Sequence, residues 1–394
     1  MEKIGIYGGT FNPLHTGHLH AAKQAIKTLE LDKLILIPDR IAPHKEIPAG
    51  TATPEQRMEM LRIATKNEPK MEVSDIELKR EGKSYSYLTV EQISRENPDA
   101  KLYLLMGTDM FTSFHTWMEP ERITAKATLA VMYRGDKGEA ESIEETKARM
   151  ESQDVEVVLV KNDAIAISST QMRRLLAFQC AGPFLPEGVE DYIRAEGLYD
   201  STAQWKNLPM DQLEAIVVRL LNPNRVAHVL GCRNTAAEMA KRWGVNEVDA
   251  ARAGLLHDIT KAIDGPLQLT LCGEYGTILS EFGQRHPKTL HALTGSLVAD
   301  RIFGENEAVV SAICHHTTGK GDMTTLEKII YVADYMEPCR NFPGVEKLRE
   351  LAFSDLDGAL RLGLEMTIEN LISRKLEISP ESREALDWLN EHEK

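Results

Sequence analysis

The first two hundred residues alternate short apolar runs with amphipathic stretches. The runs KIGIYGG (3–9), KLILIP (33–38), KLYLLMG (101–107), TLAVMYR (128–134) and VEVVLV (155–160) read as buried parallel strands, and MEVSDIEL (71–78) adds another. Helical patterns such as 18–29 and 54–66 lie between most of them. Strand alternating with helix predicts an α/β doubly wound parallel sheet. Beyond about residue 210 the two-residue period disappears. Helical windows follow at 211–221, 235–243, 248–256, 290–303, 307–315, 325–336 and 356–373, so this half reads as all-α. The texture changes within 201–209, which gives two domains, 1–204 and 205–394.

Composition narrows the picture. A chain of 394 residues with 42% hydrophobic and 27% charged content fits two ordinary globular domains. A net charge of −14 argues against nucleic-acid binding, which needs a basic footprint. The five cysteines are widely spaced and form no CxxC pair, which reads as reduced thiols of a cytoplasmic protein. No apolar run approaches the ~20 residues of a membrane span. The sequence starts directly on a strand, so neither a signal peptide nor membrane partners are expected.

In a doubly wound sheet, ligands sit beyond the carboxyl ends of the strands. The chemistry-bearing clusters of the first half all fall at such ends. After the first strand comes GGTFNPLHTGH (8–18), after the second PDRIAPHK (38–45), and after LYLLMG comes TDMFTSFHTW (108–117). Gly8 and Gly9 leave backbone N–H groups open to a phosphate, and a helix starting near His18 aims its positive end there. His15 and His18 add ring donors and, when protonated, charge. The helix-capping stretch ISST offers Ser169 and Thr170, while Arg173 and Lys45 supply permanent charge. An HxxH pair could also be half of a metal site; glycines beside it and no Cys or Glu partner favour phosphate.

GGTFNPLHTGH with the distant ISSTQMR resembles the paired signature of the HxGH nucleotidyltransferase superfamily. PDRIAPHK, SYSYLTV and MGTDMFTSFHTW make the likeness closest to bacterial nicotinate-nucleotide adenylyltransferase, over about residues 1–199. The resemblance implies a Rossmann-like fold and attack of nicotinate mononucleotide on the α-phosphate of ATP, with Mg²⁺. It implies Gly8, Gly9, Thr10, Phe11, His15, His18, Ser169, Thr170 and Arg173 at ATP, with His15, His18, Lys45 and Arg173 catalytic. Thr89, Asp109, Trp117 and Arg134 are implied at the mononucleotide. Asn12, in place of an acidic residue, and Ala42, in place of a proline, depart from the family pattern.

In the helical half, AGLLHDITK carries His257 and Asp258. His228 stands upstream; His291, His315, His316 and Asp334 stand downstream. An aspartate inside the apolar helix KIIYVADYM needs a cation or strong donor. Imidazoles with carboxylates suit Fe or another divalent transition metal. The order His…HisAsp…Asp resembles the HD phosphohydrolase superfamily. AGLLHDITK, HALTG, ICHHTTG and ADYMEPCR are similar to its subfamily that splits diadenosine tetraphosphate symmetrically into two ADP. The resemblance implies His228, His257, Asp258 and Asp334 as metal ligands. It places Arg225, Lys261, His291, His315, His316 and Arg340 at substrate phosphates, and leaves open a second metal on His291 and His315.

The expected protein is a bifunctional enzyme whose partners are small nucleotides: ATP, nicotinate mononucleotide and diadenosine tetraphosphate. A homo-oligomer stays open. Two rival readings remain. The first half could serve another phosphorylated acceptor such as phosphopantetheine, or the helical half could be a metal-holding nucleotide sensor.

Overall fold

The computed structural model describes residues 1–42, 51–133, 137–163 and 167–392. The chain divides into two compact units, Met1–Ala203 and Gln204–Lys394. No helix among the described residues is long and apolar enough to cross a membrane.

The first unit is built on a six-stranded parallel sheet. The strands are β1 (Lys3–Gly9), β2 (Lys33–Pro38), β3 (Met71–Val73), β4 (Lys101–Gly107), β5 (Ala127–Tyr133) and β6 (Val157–Lys161). Their spatial order is β3-β2-β1-β4-β5-β6, the doubly wound arrangement that the alternation predicts. Side chains on a strand alternate between faces, and the core divides accordingly. Ile4, Ile6, Ile35, Ile37, Leu102, Leu104, Leu129 and Val131 pack on one face with Val90, Ile93, Phe111 and Phe114. Leu34, Leu36, Tyr103, Leu105, Ala130 and Met132 pack on the other with Ala21, Ala22, Ala25 and Leu61.

Helix Pro54–Thr65 shows why these segments start where they do. The Thr53 hydroxyl accepts from the Gln56 backbone at 3.2 Å, the Gln56 side chain accepts from Thr53 N at 3.0 Å, and Pro54 opens the first turn. The expected strand over 71–78 is shorter than its apolar pattern. After Val73 the chain turns, with Lys79 N bonding back to Asp75 O, and this turn brings Glu77 inward.

The second unit is helical throughout its described residues. His228 lies on helix Pro223–Trp243, which begins twelve positions before the 235–243 window because Asn222 caps it and Pro223 starts it. Helix Glu247–Leu256 ends at His257, helix Glu307–His315 ends at His316, and Asp334 lies on helix Thr325–Met336. The expected 290–303 helix is α-helical over His291–Val298 and continues as a π turn to Phe303, where Gly304 (φ 69°) stops it.

Candidate functional sites

In the first unit, β1 pairs with β2 as far as Gly9↔Pro38, but with β4 only as far as Ile6↔Leu104. Beyond that point β1 and β4 diverge, at the position where the strand order reverses. This is where open α/β sheets hold ligands. Two cavities meet there, and both are lined by Tyr7, His18 and Gly107. The larger, about 520 Å³, adds His15, Gly17, Asp109 and Asn162. The smaller, about 350 Å³, adds Gly8, Gly9, Thr10, Phe11, Glu77, Trp117 and Ser169.

The turn between β1 and helix Thr16–Leu29 carries the histidines. Phe11 takes a left-handed backbone (φ 46°), and the Asn12–Pro13 peptide is cis. The His15 and His18 rings lie against one another with centroids 3.7 Å apart, their planes tilted by 36°. The His15 backbone N–H donates to His18 Nδ1 at 3.3 Å, so neutral His18 carries its ring proton on Nε2, as a donor. Burial, followed by the neighbouring His18, pushes the His15 pKa down to about 2, so His15 acts as a neutral ring. Its Nδ1 is buried and has no hydrogen-bond partner among the described residues.

The end of the unit closes over this turn. Arg173 donates to Asn12 O at 2.7 Å and to Thr170 Oγ1 at 3.1 Å, and Ser169 Oγ donates to Pro13 O at 3.2 Å. Ser168 is the residue that caps helix Ser169–Ala177, one position before the hydroxyls that the motif suggests. Asn12 is committed within the fold: its Oδ1 accepts from Tyr199 Oη at 2.7 Å. Trp117, half-buried, packs on Phe114 and lines the smaller cavity. Asp109 lines the larger cavity, as His15 does, and not the smaller one that Trp117 lines. Thr89 is buried behind the cavity wall, donating to Glu77 Oε1 at 2.7 Å. Lys45 and Arg134 lie outside the described residues.

Sequence reasoning missed the support beneath the turn. Fully buried Arg57 donates to Thr10 O at 2.5 Å and Asp39 Oδ1 at 3.0 Å, while Thr10 Oγ1 donates to Asp39 Oδ2 at 2.7 Å. Arg57 sits in an unremarkable amphipathic helix. An arginine on the apolar side of that helix was the available signal.

In the second unit, four donor atoms converge from three segments of chain. His228 Nε2 is 3.3 Å from His257 Nε2, 3.6 Å from Asp258 Oδ2 and 3.2 Å from Asp334 Oδ1. His257 Nε2 is 3.5 Å from Asp258 Oδ2 and 3.7 Å from Asp334 Oδ1. The donors form two triads that share His257, one of His228, His257 and Asp334 and one of His257, Asp258 and His316; within each the donor atoms lie within 4.8 Å of one another, and either could hold a divalent metal. The tautomers fit as well. His257 Nδ1 lies 2.7 Å from Gly254 O, a pure acceptor, so its proton is there and the Nε2 lone pair faces the cluster. Burial holds His257 well below the usual histidine range, and hence neutral.

Around this cluster stand further polar groups. Arg225 pairs with Asp258 Oδ2, and Arg340 Nη2 with Asp334 Oδ1 at 2.6 Å. Lys261 Nζ donates to His291 Nε2 at 2.8 Å, and burial pushes the lysine pKa down to about 8. His291 and His316 approach Asp258 Oδ1 at 3.5 and 3.8 Å, and Thr317 Oγ1 lies within 3.2 Å of both rings. His315 is not brought to this cluster. Its Nδ1 faces Ser311 O at 2.8 Å and buried Glu327 at 3.4 Å, and it lines a separate cavity with Ile278 and Cys314. Thr317 and Glu337 were missed. Glu337, 1% exposed, accepts from His228 Nδ1 at 3.0 Å, and its one signal was a position one helical turn past Asp334.

Comparison with known proteins follows the same division. Residues 6–175 match the cytidylyltransferase-like family and residues 225–339 the HD domain. A protein of Dictyoglomus turgidum described as a probable nicotinate-nucleotide adenylyltransferase is 38% identical over 198 residues, 50% of this chain and 95% of the relative. One of Neisseria meningitidis with the same description is 33% identical over 206 residues, 51% of this chain and 100% of the relative. Among solved structures, a predicted HD superfamily hydrolase involved in NAD metabolism from Clostridium acetobutylicum is 34% identical, with a TM-score of 0.46. It covers 47% of this chain and 99% of its own.

Proposed function

We propose two activities for this chain, which belongs through its N-terminal half to the nicotinate-nucleotide adenylyltransferase family and carries an HD domain in its C-terminal half. Residues 1–204 transfer adenylyl from ATP to nicotinate mononucleotide, and residues 205–394 hydrolyse diadenosine tetraphosphate to two ADP.

The observation that carries the first reading is the meeting of two cavities at His18, where β1 and β4 diverge. ATP lies along the Gly8–Phe11 turn, His15, His18 and Ser169, and the pyridine nucleotide along Asp109 and Trp117, so each substrate uses lining from both cavities, with Trp117 offering a face to the ring. A phosphate oxygen of the mononucleotide attacks the α-phosphorus, the bond to the β-phosphate breaks, and pyrophosphate leaves. His18, Ser169, Thr170 and Arg173 stabilise the charge that develops, with Mg²⁺ arriving on the triphosphate. Lys45 is assigned to the same task from its motif. Full-length protein with ATP, nicotinate mononucleotide and Mg²⁺ should release pyrophosphate and the dinucleotide, and His18→Ala should abolish this. Equal turnover in that variant would sink the phosphate-cradle reading.

The second reading rests on the clustering of His228, His257 and Asp334, with Asp258 and His316 joined to it through His257, and on the basic side chains of Arg225, Lys261 and Arg340 around them. A divalent transition metal held there would supply a nucleophile at neutral pH and neutralise phosphoryl charge. Arg225, Lys261, His291, His316 and Arg340 hold the tetraphosphate so that its central P–O–P bond meets water, leaving two ADP. Full-length protein supplied anaerobically with Fe²⁺ or with Mn²⁺ should yield ADP alone from diadenosine tetraphosphate. Tight binding with no ADP would favour the sensor, and AMP plus ATP would mean asymmetric cleavage.

A further inference from the structure

Glu337 has no place among the proposed metal ligands or the phosphate-binding groups. It is nevertheless one of the most completely buried carboxylates in the second unit. Its Oε1 faces His228 Nδ1 at 3.0 Å, and its Oε2 accepts from the Cys339 backbone N–H at 2.7 Å. Both carboxylate oxygens are therefore in use, and the first is used on the far side of a ring whose Nε2 joins the donor cluster.

The helix bearing His228 is shaped for this contact. Gly231 lies three residues after His228, on the same face of helix Pro223–Trp243. A Cβ placed on Gly231 would stand 2.5 Å from Glu337 Oε2. The missing side chain is what lets the carboxylate lie against the helix one turn from the histidine it contacts. A mid-helix glycine is less favourable than alanine, so the position is set by the space it leaves.

We propose that Glu337 is the positioning residue of the metal centre. By accepting the His228 Nδ1 proton it fixes the tautomer whose Nε2 lone pair points at the ion, holds the ring plane, and makes that nitrogen a better donor. Glutamate suits the position because it offers two acceptors to two donors. Glutamine offers one oxygen, so it must abandon either His228 or Cys339 N. The proposal rests on reading the four-residue cluster as a metal centre.

The test is Co²⁺ binding by full-length protein, followed through its visible absorption and by competition with a chelator, with no substrate present. Wild type should bind one set of sites with a defined ligand-field band. Glu337→Gln should weaken Co²⁺ affinity 10–100-fold and shift that band, while the melting temperature of the metal-free protein changes little. Gly231→Ala keeps the carboxylate and its charge but displaces it, and should weaken affinity in the same direction. Affinity within twofold of wild type in Glu337→Gln overturns the proposal; if that variant does not fold, unchanged affinity in Gly231→Ala does so. Failure of wild type itself to bind Co²⁺ would instead remove the metal-centre reading beneath it.

Discussion

Arg173 Nη1 donates to the carbonyl oxygen of Asn12 at 2.7 Å, joining residues 161 positions apart in sequence. The bond ties helix Ser169–Ala177 to the turn that carries His15 and His18. The same guanidinium reaches Thr170 Oγ1 on its own helix, so one side chain fixes the start of that helix against the turn.

Arg173→Lys should therefore be far from conservative. An ammonium keeps the charge but cannot hold both partners with a planar fork. Pyrophosphate release should fall roughly 100-fold in kcat/KM, the scale of losing one preorganised donor. Wild-type kinetics in the lysine variant would reduce Arg173 to a mere point charge.

The strand ends were readable in the sequence because buried parallel strands are continuous apolar runs, and glycines and histidines at their ends stand out against them. Arg57 and Asp39 were not readable. Their pairing joins the end of β2 to a helix eighteen residues on, and no periodicity marks a buried ion pair. In the second unit the His257–Asp258 pair and Asp334 stood out because histidine and aspartate are rare on apolar helices; the set of His228, His257, Asp258 and Asp334 came from the likeness to the HD superfamily. The separation of His315 from His316 was not. Adjacent residues at a helix end diverge by about 100° per residue, and only the neighbouring helices decide which side faces the His257–Asp258 cluster.

That divergence separates the two histidines experimentally. His316→Ala removes a ring beside Asp258 and should lower diadenosine tetraphosphate hydrolysis at least tenfold. His315→Ala should leave turnover within about threefold of wild type. Its cost is structural, because burial pushes the Glu327 carboxyl up, while hydrogen bonds from His315, Ser311 and Lys320 outweigh burial and hold it ionised. Removing one of these donors should lower stability by about 1–3 kcal/mol, read from thermal melts. An inactive but stable His315→Ala would reverse the placement.

The neutral state of His15 has a signature in pH. Unfolded, the ring titrates near 6.5; folded, its pKa is pushed down to about 2. Above about pH 6.5 both states are neutral and the group contributes no pH dependence. As pH falls below that value the unfolded chain takes up a proton that the folded chain refuses, so stability declines. At pH 5 the loss from this residue is about 2 kcal/mol. His15→Asn removes it. Amide exchange in β1 and β4, compared at pH 7.5 and pH 5, should show the wild type losing more protection than the variant. Parallel losses would mean that His15 is already charged in the fold.

Metal removal should act through the folded state of the second unit. An ion bound only by the native protein adds about 2.7 kcal/mol at a hundredfold excess over its dissociation constant. For a unit of this size each kcal/mol moves the melting temperature by roughly 2–4 °C. Chelation of the Mn²⁺-loaded protein should therefore lower that transition by about 5–11 °C. The responsible place is specific: the Nε2 atoms of His228 and His257 stand 3.3 Å apart, with carboxylate oxygens of Asp334 and Asp258 beside them. His257→Ala removes one of the facing nitrogens together with the site, so chelator should leave its melting temperature unchanged. An equal response to chelator in the variant would mean that the stabilising ion binds elsewhere.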